Sequence, residues 1–219
     1  MAKNPRARSA RSLHRRSGNR PPYDRVLIVC EGEKTECNYF EEIRRKAKIP
    51  SAHVHVLPSD LGTDPRKVVR SAEEAFGKNG RAFERIYAVF DRDDHPQYGT
   101  AIQMAVAKNQ RLKNDEKQLV VFEAIVSVPC FELWLLLHYA DVRSWMHRDV
   151  VLNKLRTHIP DYEKGMPNLF TLTESLLSVS TGRARALKIN HQRIPGEELY
   201  TDVHELVDYL TSLVRLRAF

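Results

Sequence analysis

"VLIVCEGEKTE" (Val26–Glu36) joins five apolar residues in a row to a segment carrying Glu31, Glu33, Glu36, Gly32 and Lys34. A strand covered on one face alternates apolar and polar side chains, whereas one covered on both faces does not. "RVLIVC" (Arg25–Cys30) therefore reads as a strand buried in the middle of a sheet with helices on both sides. Three carboxylates where such a strand stops repel one another, and a divalent cation is the simplest compensation.

Working outward, Thr35–Lys48 reads as a helix, with Thr35 as N-cap, an apolar stripe of Tyr39, Phe40, Ile43 and Ala47, and Pro50 as the stop. "HVHVL" (His53–Leu57) alternates as a second strand. Asp64-Pro65 opens a second helix through Phe76, with Pro65 at its first position, and Gly77–Gly80 breaks it. "RIYAVF" (Arg85–Phe90) is a third strand, Thr100–Asn109 a third helix, and "QLVVFEAIV" (Gln118–Val126) a fourth strand. "CFELWLLLHYA" (Cys130–Ala140) is a very apolar fourth helix. Strand–helix alternation of this kind predicts an α/β fold, a mostly parallel four-stranded sheet flanked by helices, with ligands beyond the carboxyl ends of the strands. After Ala140 the pattern turns helical: Asp149–His158, Leu169–Leu177, Thr181–Lys188 and an amphipathic terminal helix over Leu199–Leu216. The expected organisation is a basic tail (1–22), an α/β core (23–140) and a helical extension (141–219) packing on that core. The terminal helix has an apolar face for the chain itself or for a second copy in a homodimer.

The chain carries 35 Lys and Arg against 28 Asp and Glu. Lys3, Arg6, Arg8, Arg11, Arg15, Arg16 and Arg20 account for the whole excess, since no acid stands among the first 20 residues and the rest balances. Such a tail cannot bury a core. It is either a solubilising segment or a grip on nucleic-acid phosphates, to which arginine is geometrically suited. No apolar run approaches the ~18 residues of a membrane span, and no apolar segment follows the basic start as in a secretory signal. Three cysteines without CxxC spacing argue against a disulfide framework or a structural zinc site and suit a reducing cytoplasm.

A second acidic group, Asp91, Asp93 and Asp94, follows the third strand. Both groups belong on one edge of the sheet and meet if the first and third strands are neighbours. Oxygen ligands without a His or Cys cluster suit Mg²⁺ or Mn²⁺, with Glu31, Asp91 and Asp93 the leading ligands and Asp94 a further one. The plainer alternatives are first-turn acids favoured by a helix dipole for Glu33 and Glu36, and turn or cap residues for Asp93 and Asp94. Lys34 is either a charge balancer or a catalytic cation for a transferring phosphate. Glu132, in the first turn of a greasy helix, is either a dipole-favoured acid or a helper of a second metal. Trp134, Leu135–Leu137, Tyr39 and His138 read as structural.

"LIVCEGEKTECNYF", "VFDRDDH" and "PCFELWLLLH", in that order, resemble the RloB family, whose core is similar to the Toprim fold. The resemblance covers about Arg25–Ala140 and, more loosely, the C-terminal part. It departs at Val128, where the family often has asparagine before Pro129, and at Cys37, where proline usually follows "EKTE". The Toprim pattern of a glutamate after the first strand and DxD after the third falls on Glu31, Asp91 and Asp93. The resemblance implies Mg²⁺-dependent phosphodiester cleavage of DNA or of RNA such as tRNA, in antiviral (abortive-infection) defence, with Glu31 as ligand or acid/base. A free nuclease would harm its host, so an activating defence partner is expected. Strand-passing topoisomerase activity is disfavoured, since no nucleophilic tyrosine region is evident. Aspartyl phosphatase chemistry is disfavoured too, since its DxD would follow the first strand. The competing reading is a nucleic-acid-binding or regulatory module of a defence or restriction system that does no chemistry.

Overall fold

The computed structural model describes residues 24–93, 95–191 and 198–215. Its strands are β1 (Val26–Cys30), β2 (Val54–Pro58), β3 (Arg85–Asp91), β4 (Val121–Val128) and β5 (Tyr200–Thr201). Its helices are α1 (Thr35–Lys46), α2 (Pro65–Lys78), α3 (Tyr98–Lys108), α4 (Glu132–Tyr139), α5 (Arg148–His158), α6 (Leu169–Thr173), α7 (Leu177–His191) and α8 (Val203–Arg215), with a 3₁₀ turn at Glu174–Leu176. The sheet order is β2-β1-β3-β4-β5, with β1 to β4 parallel and β5 antiparallel to β4. This is a Rossmann-like α/β arrangement.

The unbroken apolar run of β1 is explained by its place. Val26, Ile28 and Cys30 face a core shared with α1 and α4 to α8, while Leu27 and Val29 face a second core with α2 and α3. All five are fully buried, each aliphatic worth roughly 2 kcal/mol relative to exposure. The first core also takes in Val151 and Leu155 of α5, Phe170 of α6, Ala184 and Leu187 of α7, and Leu206, Val207 and Leu210 of α8. The terminal helix thus spends its apolar face inside the chain.

Several boundaries differ from the sequence expectations for local reasons. The sheet has a fifth strand, because Tyr200 and Thr201 leave the expected terminal helix to pair with Val128 and Ser127. The Thr201 hydroxyl meets that of Ser127 at 3.0 Å. Strand β4 begins at Val121, since Gln118 turns back to Asn114 and Leu119 bridges Lys113. The helix expected over Leu169–Leu177 is broken by the 3₁₀ turn, and α7 starts at Leu177. Thr35 is the first residue of α1 rather than its cap, and its hydroxyl accepts the Gly165 N–H at 2.9 Å. Asp64 does cap α2, accepting the Arg66 N–H at 2.9 Å.

Candidate active site

The chain leaves β1 toward β2 on one side and returns to β3 on the other, so the crevice between β1 and β3 is the switch point of the sheet. Register then places the acids. Cys30 pairs with Val89, and Asp91 with Ser127. Glu31 donates its N–H to Val89 at 2.8 Å, and its carboxylate accepts the Asp91 N–H at 2.9 Å. Beyond β3 the backbone still follows the end of β4: Arg92 N–H bonds Ser127 and Asp93 N–H bonds Pro129, at 2.9 and 3.0 Å. Asp93 adopts φ +40°, and the Val128–Pro129 peptide is cis. Glu132 opens α4 and is buried, accepting the Tyr162 hydroxyl at 3.0 Å. Glu36, in the first turn of α1, lays its carboxylate over Gly32, where an added Cβ would stand 3.1 Å from it.

These elements enclose a cavity of about 320 Å³ lined by Glu31, Glu36, Asp91, Asp93, Glu132 and Lys164; Lys34 and Thr35 also line it. Lys164 comes from the loop joining α5 to α6. That loop is clamped to the start of α1 by the Thr35 hydroxyl on Gly165 N–H and by the Asn38 amide on Gly165 C=O, at 2.9 and 3.3 Å. Gly165 has φ +87°, and a Cβ there would lie 2.9 Å from Cβ of Lys34. Only glycine combines that backbone with so close an approach.

Burial and mutual repulsion raise the carboxyl pKa values. Burial pushes Glu31 from 4.5 up to about 7, helped by the charges of Glu36 and Asp93 and opposed by the Asp91 N–H and by Lys164. Asp91 is raised well above the carboxylate range by burial, then by Glu36, Glu31, Glu132 and Asp93. Glu36 is raised mainly by burial. Asp93 is also raised by burial, against the pull of Arg148 and Lys164.

Of the residues read from sequence, the structure brings Glu31, Asp91, Asp93, Glu132 and Lys34 to one cavity, with Lys34 exposed on its flank. Glu36 joins them, and Glu33 stays exposed. Asp94 and the arginines Arg6, Arg8, Arg11, Arg15, Arg16 and Arg20 lie outside the described residues. Lys164, Tyr162 and Arg148, which pairs with Asp93, were not singled out by sequence. They stand in the helical segment, far along the chain, with no motif of their own.

As placed, no three Asp, Glu, His or Cys side chains among the described residues converge to hold a metal ion. Glu31 is turned to the Asp91 backbone, Asp93 to Arg148, and Glu132 to Tyr162. The donor set nonetheless fits a hard divalent cation: it is all carboxylate oxygen, and Asp93 Oδ1 is buried without a hydrogen-bond partner. Mg²⁺ takes one or two such carboxylates and keeps waters for a phosphate ligand.

Fold and site together define a Rossmann-like α/β protein with a buried carboxylate cluster at its switch point. Residues 26–210 match the family model described as RloB-like protein, and the chain belongs to that family. No curated protein and no solved structure matches it.

Proposed function

We propose that the chain is a Mg²⁺- or Mn²⁺-dependent nuclease of the Toprim type, cleaving phosphodiester bonds of RNA or DNA in antiviral defence. The observation that supports it is the gathering of Glu31, Asp91, Asp93 and Glu132 with Lys164 in one cavity at the carboxyl ends of the strands. Asp91 and Asp93, with Glu31, would hold the cation, and Glu132 and Glu36 would support it. Bound there, the cation supplies charge neutralisation at a scissile phosphate and a lowered pKa for its water.

The chain's own groups serve the rest of a hydrolysis in which water forms the new P–O bond and a ribose or deoxyribose oxygen leaves. Glu31, whose carboxyl is pushed up to about 7 in the metal-free protein, would serve as a ligand or, standing off the cation, as the general acid–base group. Lys164 offers a cation to the phosphate oxygens from across the cavity, and Lys34 offers a second from its flank. The burial of Asp91 keeps bulk water from its carboxylate. Dependence on an activating partner or trigger would restrain the activity in the host.

The test is incubation of the purified protein with plasmid, single-stranded DNA and total tRNA, in Mg²⁺, Mn²⁺ or EDTA, beside an Asp91→Ala/Asp93→Ala variant. Metal-dependent cutting lost in the variant is the expected result and names the substrate. Metal binding without cutting points to the missing activator. Neither cutting nor metal binding leaves the non-catalytic nucleic-acid-binding or regulatory module in its place.

A further inference from the structure

A second cavity, of about 120 Å³, adjoins the first and shares Asp93 with it. Val128 and Pro129 at the end of β4 line it, and Trp145, His147 and Arg148 reach it from the loop and helix start that follow α4. Arg92 closes the set. We propose that this cavity is a nucleobase subsite, in which Trp145 stacks one unpaired base of a single-stranded or looped nucleic acid beside the carboxylate site. The inference rests on the nucleic-acid reading above.

Three observations carry it. Trp145 is 51% exposed, although its indole is the kind of surface a fold ordinarily covers, and it lines a concavity rather than standing alone. The chain's other tryptophan, Trp134, is fully buried and donates to the Tyr39 hydroxyl at 2.9 Å. The cations around Trp145 are held in place. Arg92 bonds Glu198 at 3.0 Å and lies 5.1 Å over the Tyr98 ring, and Arg148 is fixed by Asp93. An aromatic face, two apolar residues and two guanidinium groups match a base with its flanking phosphates. Asp93, the one acid in the lining, is already paired with Arg148. The shared Asp93 sets the subsite next to the carboxylate site. A base within a duplex is already stacked and cannot enter.

The experiment uses the full chain in EDTA, so that binding is read without cleavage. Short single-stranded DNA and RNA, their duplexes, and an abasic oligomer of equal length are titrated against it. Tryptophan emission and the anisotropy of labelled strands are recorded together. Because Trp134 is buried, a change in emission reports Trp145. Expected are saturable quenching by single strands and none by the abasic oligomer. Trp145→Ala should weaken single-strand binding roughly tenfold, Trp145→Phe should restore most of it, and both should leave abasic binding unchanged. The tighter of the DNA and RNA arms names the sugar. Unchanged emission at saturation, or wild-type affinity in Trp145→Ala, overturns the subsite. Quenching with neither cutting nor metal binding in the earlier assay keeps the subsite and removes the nuclease. Cleavage without quenching does the reverse.

Discussion

The cost of gathering carboxylates is carried by single residues, and Asp91 is buried among the charges of the others. Burial and four acids raise its pKa. Asp91→Asn removes that charge while nearly keeping the shape, so in EDTA near pH 8 the variant should be more stable by about 1–2 kcal/mol. Thermal unfolding checks this, and the same variant should lose cleavage. Two other groups pull stability in opposite directions with pH. His138 is buried, with Nδ1 near the Trp134 and Leu135 carbonyl oxygens, and its pKa falls from 6.5 to about 4. Its contribution is complete above 6.5 and lost as pH drops toward 4, because the unfolded chain takes a proton the native one refuses. The shift corresponds to at most about 3 kcal/mol. Glu31, raised to about 7, contributes fully below 4.5 and loses that contribution as pH climbs through 7 in metal-free protein. The windows overlap, so wild type alone shows a muted profile. Urea midpoints of His138→Phe should lack the acid-side loss, and those of Glu31→Gln the alkaline-side loss. Residue identity made Glu31, Asp91 and Asp93 legible from sequence, because they end strands that the apolar runs define. Lys164 was illegible, because its place follows from Gly165 packing on Lys34, a contact spanning more than a hundred residues. Gly165→Ala should accordingly displace Lys164 and lower cleavage while leaving the sheet folded, as circular dichroism would show.

At the scale of elements, apolar periodicity located nearly every helix and strand, and it failed where a long-range hydrogen bond decided the outcome. Glu42 shows why. It lies in α1, where the stripe of Tyr39, Phe40 and Ile43 reads as the buried face, yet Glu42 is only 4% exposed. Its carboxylate accepts the N–H groups of Phe170 and Thr171, both at 3.0 Å, and the Thr171 hydroxyl. A side chain of α1 thus caps α6, supplying acceptors that the start of α6 lacks locally, since Asn168 makes no side-chain cap bond. Glu42→Ala should cost about 2–3 kcal/mol, more than the roughly 1 kcal/mol expected for Asp64→Ala at the local cap of α2. Equilibrium denaturation of the two variants compares them. Strand β5 was missed for a related reason. Two residues have no period, and only their pairing with Val128 and Ser127 defines them.

The molecule as a whole balances a sheet buried on both faces against an acidic edge that Arg148 and Lys164 offset only in part, and its ligands should show in its stability. If the cation is the missing partner of that edge, Mg²⁺ at a hundred times its dissociation constant should raise wild-type stability by about 2.7 kcal/mol and leave Asp91→Asn unmoved. The described residues include no helix long and apolar enough to cross a membrane. The chain's charge imbalance bears on polyanions. All of it lies in the first 20 residues, outside the described structure, while the remainder of the chain is neutral. A neutral body supplies no long-range attraction for a phosphate backbone, and its acidic cavity repels one at close range unless something offsets it. Seven tail cations are enough to do so, because each neutralised phosphate releases counterions on binding. Each contributes about 0.7 to the slope of log affinity against log salt for a single strand. Deleting residues 1–20 should flatten that slope by up to about 5. The quenching of Trp145 at saturation should be unchanged, since the deletion removes none of the residues lining that cavity. A deletion that leaves the slope as it was makes the tail a solubilising segment, and puts the phosphate contacts on Arg92, Arg148 and the lysines of the cavity.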